Sequence, residues 1–165
     1  MLAQHLSLHP LPGRPVPPGN WHLTVRFLGN LGQVAGERLA AALDQADLGP
    51  AFVIALGGMG AFPRPARATV IWLALDKGRD RLTALNGLAE EAAQGAGLAP
   101  EDRPYAPHLT LSRIRPELDV RTDVASYAPV PFQWTAPALV LFESHPGRGG
   151  ARYERVEEFP FDPGS

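Results

Sequence analysis

An α+β fold is predicted: two pseudo-symmetric lobes of mainly antiparallel sheet with outer helices, around a central cleft carrying two HxTx motifs. Three observations predict it. The tetrapeptide His22-Leu23-Thr24-Val25 returns as His108-Leu109-Thr110-Leu111, 86 residues later in a chain of 165, which is the spacing of an internal duplication. Strand-like and helix-like patterns come in mixed order, with neighbouring strand pairs that favour antiparallel sheet. The hydrophobic fraction, 45%, suffices for a core in a single bilobal domain over residues 1–165.

The elements follow in order. Residues 1–20 read as irregular, since Pro12–Asn20 holds four prolines and two glycines. Trp21–Leu28 is the first motif strand, ended by Gly29-Asn30. Leu39, Ala42 and Leu43 give helical spacing to Val34–Ala46, which Gly49-Pro50 breaks. Ala51–Leu56 is a strand candidate, and Gly57-Gly58-Met59-Gly60 reads as a flexible turn. Thr69–Leu75 is the clearest strand, rich in β-branched and aromatic residues. Arg79–Gly97 is a helix whose apolar stripe is Leu82, Leu85, Leu88 and Ala92. Pro104–Pro107 lead into the second motif strand, His108–Ile114, and Pro116–Ala128 is partly helical. Phe132–Glu143 and Tyr153–Phe161 read as strands joined by a turn at Pro146–Gly150.

Composition narrows the function classes. The net charge of −2 argues against a protein that coats nucleic acid regardless of sequence. A local basic cleft remains open, because 14 of the 15 basic residues are arginine, the better fork for phosphate oxygens. A general bias toward Arg, Ala, Gly and Pro explains that count equally well. The absence of cysteine excludes disulfides, Cys-based zinc sites and thiol nucleophiles. No apolar run is long enough for a membrane span, and no signal-peptide pattern opens the chain. A cytoplasmic, monomeric protein without membrane association is expected.

Side chains alternate along a strand, so each motif turns its histidine and threonine to one face and its aliphatic pair to the other. His22 and His108, with Thr24 and Thr110, are therefore the candidate catalytic residues. Two imidazoles and two hydroxyls suit acid–base chemistry on a phosphate. An imidazole with an ordinary pKa of about 6.5 serves as base or acid near neutrality, and threonine hydroxyls can hold the non-bridging oxygens. Arg26 shares the parity of His22 and Thr24 and is a candidate phosphate contact. Arg113 has the opposite parity to His108 and is assigned a structural role, unless the strand bulges. Tyr105 is a candidate for stacking on a terminal base, with core packing as the alternative. Arg148 and Arg152, in the turn HPGRGGAR, are candidates for the RNA backbone, against ordinary surface charge. His5 and His9 lack a third metal ligand nearby, His145 reads as a solvated loop residue, and Trp72 reads as core. No Gly-Lys-Ser/Thr follows Gly57, Gly58 and Gly60, so they are no phosphate loop.

The segments VPPGNWHLTVRFLGNL, GGMGAFPRPARATVIWLAL, PYAPHLTLSRIR and LVLFESHPGRGGARYERV span residues 16–156. In that order they resemble the two-histidine phosphoesterase superfamily, in particular the RNA 2′,3′-cyclic phosphodiesterases also called 2′-5′ RNA ligases. The resemblance implies opening of RNA 2′,3′-cyclic phosphate ends to a 2′-phosphate. It also implies His22 as proton donor, His108 as proton acceptor, and no metal or other cofactor. The near-symmetry of the motifs leaves the two roles interchangeable on sequence grounds. Ligation through a 2′-5′ bond is the same chemistry reversed. Another small cyclic phosphate or a 2′-5′ oligonucleotide as substrate, or a non-catalytic RNA-end binding module, are the alternatives. Family members begin with a short strand and a helix, where this sequence has only Met1–Leu8. The strand and most of the helix are therefore expected to be absent, which would expose a sheet edge.

Overall fold

Antiparallel strands organise the first of the two units into which the computed structural model divides; it describes residues 2–129 and 131–163. This unit comprises Met1–Leu23, Ile54–Lys77 and His108–Trp134. Its elements are helix α1 (Leu2–Leu8), strands β1 (Arg14–Pro15), β2 (Phe52–Arg64), β3 (Arg67–Lys77) and β4 (Leu109–Leu118), and helix α4 (Arg121–Ser126). With β5 (Gln133–Ala136) the strands form a sheet in the order β1-β4-β3-β2-β5.

One face of this sheet is the core. Leu56, Leu73, Leu109 and Leu111 pack with Leu2 of α1, while Ala61, Ile71 and Ile114 pack with Val120 ahead of α4. The N-terminal stretch is thus helical over Leu2–Leu8, where the sequence reads as irregular. A seven-residue helix is too short to stand on propensity alone. It forms because Leu2 and Leu6 bury their side chains on the sheet, a contact that local sequence does not display.

Residues Gly57–Gly60 are likewise strand rather than turn. They lie inside β2, with a register shift between Leu56 and Met59. A Cβ at Gly57 would strike the Asp76 carboxylate, and one at Gly60 would strike the Trp72 ring. These glycines make room for neighbours on β3; they do not loosen the chain.

The second unit comprises Thr24–Val53, Gly78–Pro107 and Thr135–Ser165. Helices α2 (Gln33–Gln45) and α3 (Arg79–Gly95) pack on each other, close to the predicted spans. Leu39 and Leu43 are the buried residues of α2, and Leu82, Leu85, Ala89, Ala92 and Ala93 those of α3. A hairpin of β6 (Ala138–His145) and β7 (Arg152–Pro160) forms the separate two-stranded sheet. The strand predicted over Phe132–Glu143 is broken at Pro137, which has no N–H to give a ladder; its carbonyl accepts from Phe161 N at 2.9 Å. Arg81 donates to the carbonyls of Leu48 and Pro50 at 2.8 and 3.0 Å and lies over the Phe52 ring. Among the described residues, no helix is long and apolar enough to cross a membrane.

Candidate active site

The first motif is not a regular strand. It contributes one antiparallel bridge, Leu23 to Leu109. That bridge sets His22 opposite Thr110, because residues on either side of an antiparallel pair run in opposite senses. Leu23 packs into the core with Leu109, so His22 and Thr110 take the other face of the sheet. The His22 ring is fixed by its Nδ1, which lies 2.7 Å from the Asn20 carbonyl oxygen. A carbonyl only accepts, so Nδ1 carries the hydrogen and Nε2 is the nitrogen whose lone pair can exchange a proton.

His108 stands immediately before β4 and is half-buried. Its ring meets the Phe62 ring edge-on at 5.0 Å between centroids and the Trp72 ring at 6.1 Å. Phe62 and Trp72 are themselves 4.9 Å apart. Trp72 is therefore no core residue. It pairs with Gly60 and Thr110, on the face opposite Leu73, and its buried Nε1 has no partner among the described residues. The aromatic wall around His108 is not visible in local sequence, where Trp72 reads as core. A glycine at the cross-strand position of a tryptophan was its signal.

A bulge corrects the assignment of Arg113. Trp72 pairs with Thr110, yet Ile71 pairs with Ser112, so Leu111 is an extra residue in β4. The parity flips there: Leu109 and Leu111 face the core before it, Ser112 and Ile114 after it. Arg113 consequently shares the face of Thr110. The sequence carried the signal, since the apolar alternation 109, 111 resumes at 114.

In the second unit the remaining motif residues hold each other. Tyr105 Oη donates to the Thr24 carbonyl at 2.9 Å and Asn86 Nδ2 to the Val25 carbonyl at 2.8 Å. Arg26 donates to the Phe27 carbonyl. Carbonyls that a strand would offer to a neighbouring strand are taken by side chains, which is why no strand continues beyond Leu23. Arg26 also pairs with Glu90 and donates to the Ala99 carbonyl at 2.9 Å, and its side chain is only 8% exposed. The expected phosphate contact gives way to this bracing role. Glu90 also accepts from Glu101 N at 3.1 Å, and the Arg26 hydrogen bond holds its carboxyl below the usual carboxylate range. Burial pushes the Tyr105 phenol up to about 12, so its hydroxyl stays a donor to Thr24. Thr24 itself is exposed. Arg148 is exposed in the turn that Gly150 N closes on the Gly147 carbonyl at 3.1 Å. His145, expected in a loop, ends β6 with Nε2 3.3 Å from Glu154.

The LigT like Phosphoesterase family model matches residues 2–72 and 73–153, and the chain belongs to that family. It is similar to an RNA 2′,3′-cyclic phosphodiesterase of Aeropyrum pernix, 35% identical over 109 residues, with 64% of this chain and 59% of that protein covered. The chain thus matches less than two thirds of that relative. An RNA 2′,3′-cyclic phosphodiesterase of Escherichia coli is 30% identical, with 91% of this chain and 81% of that protein covered. In fold the chain is similar to the crystal structure of E. coli LigT complexed with 3′-AMP, with a TM-score of 0.78 at 24% identity. That match covers 96% of this chain and 88% of the other.

Proposed function

We propose that the protein opens RNA 2′,3′-cyclic phosphate ends to 2′-phosphates by acid–base catalysis between two histidines. The observation that carries this reading is the Leu23–Leu109 bridge, which makes His22 and Thr110 neighbours on the face that His108 reaches through Phe62 and Trp72. The family membership and the named activity of the relatives support it.

His108 takes a proton from water as the water oxygen bonds to phosphorus. The bond from phosphorus to O3′ breaks on the opposite side, and His22 Nε2 gives O3′ its proton. Water has then been added across one P–O bond and each imidazole has exchanged its charge state, so a later proton transfer resets the pair. Thr110 donates to a non-bridging oxygen where charge concentrates; Thr24 carries the same assignment from its motif. Run backwards, the same groups join a 2′-phosphate end through a 2′-5′ linkage.

The test is incubation of a short RNA ending in 2′,3′-cyclic phosphate, with EDTA, beside His22→Ala and His108→Ala. Opening to the 2′-phosphate, reduced by at least roughly 100-fold in either variant, is expected. A folded wild type without turnover, or variants as active as wild type, would refute the reading.

A further inference from the structure

His5 and His9 meet where the sequence reads an irregular stretch. His5 lies on helix α1, and His9 N donates to the Leu6 carbonyl at 3.3 Å. The turn thus runs past the helix end and sets His9 one turn after His5, on the same side. Their rings are 5.1 Å apart between centroids, tilted by 54°. The Tyr127 ring meets His5 edge-on at 6.0 Å and limits its rotation. Both histidines line a cavity of about 380 Å³. Its floor is Leu11 and Met59, which pack against the core of the sheet. Asp123 of α4 lines the same cavity. Among the described residues, no hydrogen bond or ion pair occupies either imidazole or the Asp123 carboxylate. His5 is half-buried and His9 exposed, so the cavity opens to solvent on the His9 side.

An ion held by two imidazole nitrogens at about 2.0–2.1 Å lies roughly 3.2 Å from each ring centroid. Two rings subtending about 90–110° at the ion therefore stand roughly 4.6–5.3 Å apart, and the observed 5.1 Å falls inside that range. We propose that His5 and His9 form a chelating site for a first-row divalent ion of the zinc, nickel and copper class. Imidazole nitrogen suits these ions, whereas magnesium and calcium take oxygen ligands. No three carboxylate or imidazole side chains converge into a closed cage among the described residues, so water completes the coordination. Asp123 accepts a hydrogen bond from that water, as carboxylates do beside bound metals. The role of the ion is structural. A seven-residue helix gains little from propensity, and a chelate across its last turn holds α1 on the sheet by a binding energy that the unfolded chain lacks. The cavity adjoins the leucine face of the sheet, and His22 and Thr110 occupy the other, so the ion takes no part in the hydrolysis.

The experiment follows the thermal midpoint of the full chain in EDTA and then in about 1 mM Zn²⁺, with Mg²⁺ as the control ion. Wild type is run beside His5→Gln, His9→Gln and Asp123→Asn. An ion at roughly ten to a hundred times its dissociation constant raises the midpoint of a chain of this size by roughly 3–10 °C. That rise is expected for wild type with Zn²⁺, absent with Mg²⁺ and lost in either glutamine variant. Asp123→Asn should weaken Zn²⁺ binding by roughly ten-fold in calorimetry. A wild-type midpoint that Zn²⁺ does not move would overturn the site, as would a rise that survives in both glutamine variants. Where a variant does not fold, Ni²⁺ added to the wild type gives the answer. Its paramagnetism should broaden the NMR ring signals of His5, His9 and Tyr127 ahead of those of His22 and His108, and broadening that starts at another histidine overturns the site.

Discussion

Gly60→Ala adds a single methyl group at the point where the sheet supports His108. The new Cβ falls on three atoms of the Trp72 ring. That ring cannot step aside freely, because Phe62 lies 4.9 Å away and His108 6.1 Å away, centroid to centroid. Overpacking of this kind costs about 1–3 kcal/mol. For a chain of this size the thermal midpoint falls by roughly 2–4 °C per kcal/mol. Part of the strain relaxes by moving Trp72 against His108, so the turnover rate falls as well, by roughly ten-fold if about 1.4 kcal/mol of it reaches the imidazole. Gly58→Ala is the matched control, since nothing lies within 4 Å of its added Cβ. The assay is a thermal melt with kcat on a 2′,3′-cyclic phosphate substrate for both variants. A second substitution, Trp72→Phe, shrinks the ring and should recover part of both losses in the Gly60→Ala background, a coupling that a double-mutant cycle measures. Equal behaviour of the two alanine variants, or no recovery with Trp72→Phe, would refute the claim that Trp72 transmits the strain.

Other outcomes follow from the hydrogen bonds that brace the motifs. Tyr105→Phe removes the donor to the Thr24 carbonyl and should cost about 0.5–1.5 kcal/mol in urea unfolding. The phenol's pKa is raised from 10 to about 12, so the stability it contributes is present below pH 10 and lost as pH rises toward 12. Its absorbance titration should be correspondingly late, and Tyr105→Phe should flatten the alkaline limb of stability. Ser112→Ala leaves the Pro12 carbonyl without the hydroxyl that donates at 2.7 Å inside the core. It should cost about 1–3 kcal/mol, with early hydrogen exchange of the Val16 amide, which donates to the Leu111 carbonyl at 2.8 Å just past β1, as the local sign. Glu90 is held below its ordinary value of 4.5, chiefly by the hydrogen bond from Arg26. Its contribution is therefore present above pH 4.5 and lost as pH falls through the lowered value. Glu90→Gln should flatten the thermal midpoint below pH 4.5, and an unchanged acid slope would sink this account.

Where a contact is made by residues close in sequence, the fold was legible. The stripes of α2 and α3 and the β-branched run of β3 identify themselves, because their burial repeats with the period of the element. The first motif strand was not legible beyond Leu23. The chain bends at Val25, and the carbonyls of Thr24 and Val25 go to Tyr105 and Asn86, whose positions no local pattern gives. Arg26 shows the same limit. Alternation assigned it to the face of His22, and Glu90, 64 residues away, determines what its guanidinium does. Gly57 and Gly60 differ from their sequence pattern for a related reason: composition marks glycine as flexible, whereas here the Asp76 carboxylate and the Trp72 ring occupy the space a side chain would need.

The bulge at Leu111 joins these threads. Were Leu111 paired with Ile71 in regular register, strict alternation from Thr110 would turn Ser112 outward and bury Arg113 on the core face, where a lone guanidinium has no partner and costs several kcal/mol to desolvate. Burying Ser112 is tolerable because its hydroxyl finds the Pro12 carbonyl, and that same bond fixes the edge from which Arg14 projects. Bulging Leu111 out of the ladder thus exchanges a buried charge for a satisfied hydroxyl and puts Arg113, with Arg14 opposite it, on the face of His22 and Thr110. The phase slip from Leu111 to Ile114 is the mark it leaves in the sequence. A slip of one residue within an alternating run therefore merits reading as a change of face, with the polar residue it turns outward as the first candidate for function.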